Sequence, residues 1–380
     1  MNAQLQPAPT ADSYQRAMVE MLARAGIVIG GSAPWDIQVN DPRMFRRVLA
    51  QGSLGAGESY MDGWWDCPRL DEMMRRVFES RVDVELPSLR QVLAGLTARL
   101  FNPQTPRRSF TVGERHYDIG DDLYRRMLDR RMIYSCGYWR EAQDLDAAQE
   151  AKLDLVCRKL GLERGMRVLD IGCGWGGAAQ FAAERYGVDV TGVTVSHNQA
   201  ESARERCRGL PVRILLEDYR SVRGRFDRIY SLGMFEHVGV RNYRTYFDTV
   251  RHLLTDDGLF LLHTIGCNAS VSANDPWVER YIFPNSMLPS MAQITHAADG
   301  QWVIEDWHSF GVDYDRTLMA WYDNFEFGWH EISAEYGERF RRMWRFWLLG
   351  SAASFRARRN QLWQLVMSPH GVIGGYREVR

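Results

Sequence analysis

The sequence predicts an α/β fold: a doubly wound, Rossmann-like sheet with helices on both faces, preceded by a small helical N-terminal domain. Three observations carry that prediction. Val168-Leu169-Asp170-Ile171 is a short apolar run that enters the glycine-rich turn Gly172-Cys173-Gly174-Trp175-Gly176-Gly177, and a helical pattern starts near Ala178. From there to residue 264, apolar strand-like runs alternate with amphipathic helical ones, the rhythm of βαβ units. Before residue 102 the apolar residues recur mainly at helical spacing. Residues 102–109, with two prolines among polar side chains, have linker composition and put the boundary between domains 1–102 and 103–380.

Length and composition bound the rest. At 380 residues the chain can bury two cores, and 25% charged with 45% hydrophobic residues is what a soluble globular protein carries. A formal net charge of −1 supplies no global field for nucleic acid or anionic lipid, so any such contact has to be a local patch. The six cysteines include no C-x-x-C pair, which argues against a structural zinc site or a disulfide framework and favours a reducing cytoplasm. No signal-peptide pattern and no apolar run of about 18 residues is present, so a membrane-spanning protein is not expected. Thirteen Trp, 16 Tyr and 16 Phe suit a large apolar pocket or, equally, an aromatic-rich core.

Taken in order, a loose tail leads to a helix capped by Asp12 or Ser13, running through Ala25 with Met18, Met21 and Leu22 on one face. Residues 27–29 and 35–39 read as short strands about Gly30-Gly31. Residues 43–50 and 60–65 read as helices interrupted by Gly52, Gly55 and Gly57. Residues 70–79 and 89–101 read as amphipathic helices. After the linker come a helix at 121–128, an aromatic stretch at 134–139 and a helix at 146–160. Then follow strand 168–171, helix 178–186, strand 188–193, helix 197–208, strands 212–216 and 226–231, helix 242–254 and strand 258–264. Residues 276–355 are aromatic-rich and read as helical cover over the carboxyl ends of the strands, and 362–367 as a last strand.

The glycine turn is the candidate ligand site, because glycines let the backbone turn with positive φ and let a ligand approach where a Cβ would stand. Its spacing is G-x-G-x-G, not the dinucleotide G-x-G-x-x-G. A dinucleotide site also needs an acid at the end of the second strand, and that strand ends Gly192-Val193-Thr194-Val195-Ser196, with Asp189 too early to face a ligand. NAD is disfavoured. S-adenosylmethionine has no pyrophosphate and needs only close backbone approach and polar anchors. Thr194 and Gln199 can anchor its ribose, and Glu217-Asp218 can reach the adenine edge, although ordinary loop acids would read the same way.

These residues resemble class I methyltransferases of the cyclopropane-fatty-acyl-phospholipid synthase and mycolic acid synthase group. The resemblance rests on Asp170–Gly177 and Gly192-Val193-Thr194-Val195-Ser196, then on His116-Tyr117-Asp118-Ile119-Gly120 and Tyr134-Ser135-Cys136-Gly137-Tyr138-Trp139. It continues through Met234-Phe235-Glu236-His237-Val238-Gly239, Leu262-His263-Thr264-Ile265-Gly266 and Ile282-Phe283-Pro284-Asn285. In the N-terminal domain, Gly52-Ser53-Leu54-Gly55 and Gly57-Glu58-Ser59-Tyr60-Met61-Asp62-Gly63-Trp64-Trp65 resemble the bacterial cyclopropane synthases in particular.

The resemblance implies methyl transfer from S-adenosylmethionine to the cis double bond of a phospholipid acyl chain. Ring closure follows by proton loss, with bound bicarbonate as acceptor. It implies Cys136, Glu236, His263, Ile265 and Tyr314 as the bicarbonate ligands, Cys136 and Ile265 largely through their backbones. Chemistry agrees in kind: a carboxylate can take the hydroxyl hydrogen of bicarbonate while an imidazole, a phenol and main-chain N–H groups donate to its oxygens. By residue type alone, His263 reads as a hydrogen-bonded core histidine, Glu236 as a helix-terminal acid, and Tyr314 carries no signal. Tyr134 and Ser135 are implied to hold the methionine carboxylate, where the residues alone read as a β-like loop with an exposed serine. Gly172, Gly174, Trp175 and Val195 complete the implied cofactor site. A wall for a developing carbocation can come from Trp139, Tyr243, Tyr246, Phe247, Trp321, Tyr322 and Phe325, since aromatic faces attract positive charge.

One departure stands out: some members carry a cysteine where Ser351 precedes Phe355-Arg356-Ala357-Arg358. A double bond that is itself the nucleophile does not need that thiol. The resemblance also suggests a homodimer, peripheral attachment to the inner membrane from the cytoplasm, and lipid contact through the N-terminal domain and basic clusters. Candidates for the latter are Arg107-Arg108 and Arg339, Arg341, Arg342 and Arg345, which solvated helix-face arginines would also explain. Two rivals remain: a lipid methyltransferase that does not close a ring, and a catalytically silent lipid-binding protein.

Overall fold

The computed structural model describes residues 11–85, 120–271 and 273–380. The expected helix at 89–101, the linker with Arg107-Arg108, and His116-Tyr117-Asp118 lie outside them.

The N-terminal segment forms α1 (Ala11–Ala23), β1 (Gln38–Val39), α2 (Arg43–Gln51), α3 (Ser53–Met61), β2 (Trp65–Asp66) and α4 (Leu70–Ser80). Two expectations change here. Of the strands at 27–29 and 35–39, only Gln38 and Val39 become a ladder, paired with Trp65 and Asp66, while Ile29 and Ile37 make a single bridge. Of the helix expected over 60–65 only Tyr60 and Met61 are helical, as the end of α3, while Trp65 enters β2; α3 itself runs through Gly55 and Gly57, which are points of close contact. A Cβ on Gly55 would collide with the Arg47 carbonyl, and one on Gly57 with the Trp277 indole. Met18, Leu22, Met44, Phe45, Trp65, Leu70 and Met73 form the core of this segment, and Leu349 and Ala353 from the C-terminal helix close it.

The remainder is built on one sheet. Its strands are β3 (Arg167–Ile171), β4 (Asp189–Thr194), β5 (Val212–Leu216), β6 (Phe226–Leu232), β7 (Leu254–Cys267), β8 (Val303–Ser309) and β9 (Asn360–Ser368), in spatial order β5-β4-β3-β6-β7-β9-β8. The first five are parallel, and β9 runs antiparallel between β7 and β8. The strand at 303–309 was expected to be helical. Its pairing to β9 explains the difference: Trp307 faces Leu365 and Ile304 faces Met367 across a ladder that local spacing does not reveal. Helices α5 (Asp121–Met127), α6 (Leu145–Lys159), α7 (Gly177–Tyr186), α8 (His197–Arg206), α9 (Tyr243–Leu253), α10 (Pro276–Tyr281) and α11 (Met291–Ala298) surround the sheet. Last comes α12 (Val312–Arg356), broken at Gly337, whose φ of 71° no helix accommodates. The chain is thus α/β as expected. Order reverses between β3 and β6, and such a switch point opens a crevice at the carboxyl ends of the strands.

Candidate active site

The turn after β3 occupies that crevice. Gly172 and Gly174 are left-handed, with φ of 87° and 52°. A Cβ on Gly172 would lie 2.8 Å from that of Met234, so packing against the loop after β6 requires glycine there. A Cβ on Gly174 would meet no protein atom within 4 Å, so this glycine keeps the turn open on its free side. The turn floors a cavity of about 190 Å³, and all ten residues expected for the cofactor line it: Tyr134, Ser135, Gly172, Gly174, Trp175, Thr194, Val195, Gln199, Glu217 and Asp218. Asp170, Met234, His237 and Asn285 join them.

The polar groups here differ in what they have left to offer. Thr194 Oγ1 donates to Gln199 Oε1 (2.8 Å), which leaves the Gln199 amide N–H groups for a guest. Asp218 accepts from Arg220 through its main-chain N–H (3.0 Å), Nε (2.7 Å) and Nη2 (2.7 Å), so it orders its loop more than it offers an acceptor. Asp170 is buried, its Oδ2 has no hydrogen-bond partner, and burial pushes its carboxyl up to about 7. Trp175 Nε1 donates to Asp121 (3.2 Å), and its ring lies 4.9 Å from Tyr124. An acceptor without a partner and an open glycine face fit a ligand that carries an ammonium and approaches the backbone closely. S-adenosylmethionine does both.

None of the second group of expected residues, Cys136, Glu236, His263, Ile265 and Tyr314, lines this cavity; their neighbours Ser135, Leu232, Met234 and His237 do. Glu236 follows β6, and its Oε1 accepts from Ile265 N (2.7 Å) on β7. His263 lies two residues earlier on β7, opposite Leu232 of β6 and Gln364 of β9. Gln364 Nε2 lies 3.3 Å from His263 Nδ1; with the amide nitrogen assigned as donor, the ring proton is on Nε2. Burial holds this imidazole neutral, well below its usual pKa, and pushes the Glu236 carboxyl up to about 7. Glu236 Oε2 and His263 Nε2 are both buried without partners, one an acceptor and the other a donor. Such atoms are costly to bury unless something meets them.

Tyr314 opens α12, 4.5 Å from Phe355 between ring centres, and Thr317 one turn on holds Cys136 in place. Thr317 Oγ1 accepts from Gly137 N (3.0 Å) and Trp139 Nε1 (2.8 Å), donates to the Asp313 carbonyl (2.9 Å), and lies 3.7 Å from Cys136 Sγ. Cys136 is fully buried, and burial raises its thiol well above the usual range, so it is no thiolate. Ile265 departs from the expected arrangement: its N–H is engaged by Glu236 and its carbonyl accepts from Thr264 Oγ1 (3.0 Å). Its main chain therefore orients Glu236 instead of facing an open position.

The aromatic wall divides. Trp139, Trp321 and Phe325 share a core with Cys136 and Tyr314, with Trp321 5.3 Å from Tyr134. Tyr322 packs against that core and the N-terminal helices alike. Tyr243, Tyr246 and Phe247 instead pack between α9 and the sheet with Phe235 and Phe260, because α9 turns its apolar stripe toward the strands. The α12 arginines named for lipid contact are each paired within the chain. Arg339 pairs with Asp62 (3.0 Å), Arg341 and Arg345 with Glu326 (2.5 and 3.4 Å), and Arg342 with Asp66 (2.7 Å). These charges tie α12 to itself and to the N-terminal segment. Ser351 lies half-buried on α12. No helix among the described residues is long and apolar enough to cross a membrane.

Two residues escaped sequence reasoning. Thr317 carries no local signal. Lys152, whose Nζ donates to Ser135 Oγ (2.9 Å), had one: together with Gln149 and Lys159 it falls on the buried stripe of α6.

Residues 104–365 match the family model described as mycolic acid cyclopropane synthetase. Over 370 residues the chain is 53% identical to the cyclopropane-fatty-acyl-phospholipid synthase of Escherichia coli K12, covering 97% of each chain. Among solved structures, a cyclopropane synthase from Mycobacterium tuberculosis superposes with a TM-score of 0.64 at 32% identity, covering 70% of this chain and 99% of that one. A mycolic acid cyclopropane synthase complexed with SAH and CTAB gives 0.63 at 32%, covering 68% and 97%. With its glycine turn at the switch point and matches over nearly its whole length, the chain belongs to the cyclopropane synthase family of class I S-adenosylmethionine-dependent methyltransferases.

Proposed function

We propose that this enzyme cyclopropanates the cis double bond of unsaturated acyl chains in phospholipids, with bicarbonate bound beside Glu236 and His263. The observation that carries the reading is the pair of partnerless buried atoms, Glu236 Oε2 and His263 Nε2, whose neighbours Leu232, Met234 and His237 line the cavity floored by the glycine turn. S-adenosylmethionine, held by Tyr134, Ser135, Thr194, Gln199 and Glu217 around that turn, supplies an electrophilic methyl group. The acyl double bond would take the methyl as S-adenosylhomocysteine leaves, and loss of a proton from that methyl would close the ring.

Bicarbonate would supply the proton acceptor, and the donor set fits it. A carboxylate and an anion repel unless a proton lies between them, and the hydroxyl hydrogen of bicarbonate is one that Glu236 Oε2 can accept. His263 Nε2–H and Tyr314 can donate to the remaining oxygens, and Ile265 N–H keeps the Glu236 carboxylate oriented. Cys136 shapes the wall as a neutral thiol held by Thr317. Trp139, Trp321 and Tyr134 offer ring faces that favour cationic charge by about 0.5–2 kcal/mol each without adding to it. No residue in this scheme requires a thiol at Ser351.

The same reading includes a helical domain 1–102 and a catalytic domain 103–380, a homodimer, and work at the cytoplasmic face of a membrane. With Arg339, Arg341, Arg342 and Arg345 paired internally, lipid contact is left to the N-terminal domain and to Arg107-Arg108. The test is incubation with S-adenosylmethionine and vesicles of unsaturated phospholipid, with and without added bicarbonate, read by proton NMR. Ring closure removes the olefinic signals and adds strongly shielded ring protons, at a rate that rises with bicarbonate. Olefinic protons retained beside a new methyl group would instead assign a methyltransferase without ring closure, and no turnover would leave a lipid-binding protein.

A further inference from the structure

Lys152 is completely buried on α6, a position a long basic side chain rarely occupies unless paired. No carboxylate lies within 4.0 Å of its Nζ among the described residues, and its one hydrogen bond there goes to Ser135 Oγ at 2.9 Å. Burial brings its pKa down to about 8, opposed first by the charge of Asp129. An ammonium has three donors and no acceptor, so the direction of the bond is fixed: nitrogen gives and the serine oxygen receives. The hydroxyl hydrogen of Ser135 is left over, and Ser135 Oγ donates no hydrogen bond to another described residue. Ser135 lines the cavity. One turn earlier on α6, Gln149 Nε2 donates to the Ser135 carbonyl (2.7 Å), so the same helix face grips both backbone and side chain of this loop.

We propose that Lys152 is a positioning residue for the amino-acid end of the cofactor: by donating to Ser135 Oγ it turns the serine hydroxyl into an obligate donor to a carboxylate in the cavity. The inference rests on the reading of Ser135 as the carboxylate ligand. It explains why an incompletely paired cation is tolerated here. Its burial is costly in the empty protein, and the cost is offset when an anion enters nearby. The arrangement selects between ligands that share the adenosine half and differ only in the amino-acid half.

The test compares two probes on the full-length protein by calorimetry: S-adenosylhomocysteine, which carries the carboxylate, and 5′-methylthioadenosine, which lacks the amino-acid moiety. A charge-assisted hydrogen bond sets the scale, so Lys152→Met should weaken S-adenosylhomocysteine about 10- to 100-fold and leave methylthioadenosine within about twofold. Ser135→Ala should show the same selective loss, and the double variant no more than the larger single one. Lys152→Gln keeps a donor without the charge. It should recover part of the preference, and it serves if the Met variant does not fold. Equal weakening of both probes, or of neither, in the Lys152 variants overturns the proposal and leaves Lys152 a packing residue. If Ser135→Ala keeps the full preference for S-adenosylhomocysteine, the carboxylate reading of Ser135 falls first and the proposal with it.

Discussion

The glycine-turn cavity and the Glu236–His263 pair both lie toward the carboxyl ends of the strands, yet the chain builds them differently. Most of the cavity comes from the loops that follow β3, β4, β5 and β6, each a short step beyond a strand end. The proposed bicarbonate site would draw Cys136, Glu236, His263, Ile265 and Tyr314 from segments spread over nearly 180 residues, and Thr317 bonds residues of the 136–139 loop from the far side of the sequence. Local backbone geometry suffices for the first region. The second exists only once β7, β9 and α12 have assembled. The contrast extends to two carboxyls that burial raises to about 7, Asp170, which lines the cavity, and Glu236, which does not, each with one oxygen lacking a partner.

The sharpest way to break this division is Glu236→Gln. It keeps an acceptor for Ile265 N but removes the ionisable carboxylate, so turnover should fall at least about 100-fold. S-adenosylhomocysteine affinity, measured by calorimetry, should stay within about twofold. Its stability effect has the opposite sign. With the folded-state pKa raised from 4.5 to about 7, the stabilising contribution of the wild-type carboxyl is fully present below about 4.5 and lost as pH climbs through 7. The variant should therefore unfold at higher denaturant than wild type at pH 8, by about 3 kcal/mol, and match it near pH 4. Equal melting at both pH values would mean that Glu236 is not desolvated.

On the cofactor side, Gly174→Val places a branched side chain at a left-handed φ of 52° and on the open face of the turn. S-adenosylhomocysteine affinity should drop more than about tenfold, with a stability loss of about 1–2 kcal/mol. An affinity unchanged by this side chain would move the ligand off the turn. Thr317→Val is intermediate. It leaves Gly137 N and Trp139 Nε1 without their acceptor, so chemical denaturation should register a loss of about 1–3 kcal/mol. Turnover should suffer more than cofactor affinity, because the loop it holds belongs to the second region. Smallest is Arg339→Ala, outside both regions: its half-exposed pair with Asp62 should be worth less than about 1 kcal/mol in the same assay.

How much of this was legible follows the same line. The glycine turn, the acid-free end of β4 and the strand–helix rhythm read directly from residue spacing, and Thr194, Gln199, Glu217 and Asp218 line the cavity around that turn, whereas Tyr134 and Ser135 were visible only through resemblance. Glu236, His263 and Tyr314 were visible only through resemblance, since a buried acid, a core histidine and a helix-start tyrosine look ordinary in isolation. The aromatic candidates show the limit plainly. Tyr243, Tyr246 and Phe247 share a helical stripe that spacing reveals, but spacing does not say that the stripe meets Phe235 and Phe260 across the sheet instead of a ligand. Strand 303–309 was missed for a similar reason, because its apolar residues are matched to partners on β9 and not to one another.

By itself the sequence determined the α/β class, the turn that a ligand approaches and the absence of a dinucleotide acid, because each depends on backbone conformation and period within a few residues. Only the tertiary structure decided which buried polar atoms are left unmet, that Ile265 serves Glu236, that the α12 arginines close on acids within the chain, and that Lys152 stands behind Ser135. Those outcomes depend on desolvation and on partners far apart in the chain, and both come into being only when the layers close.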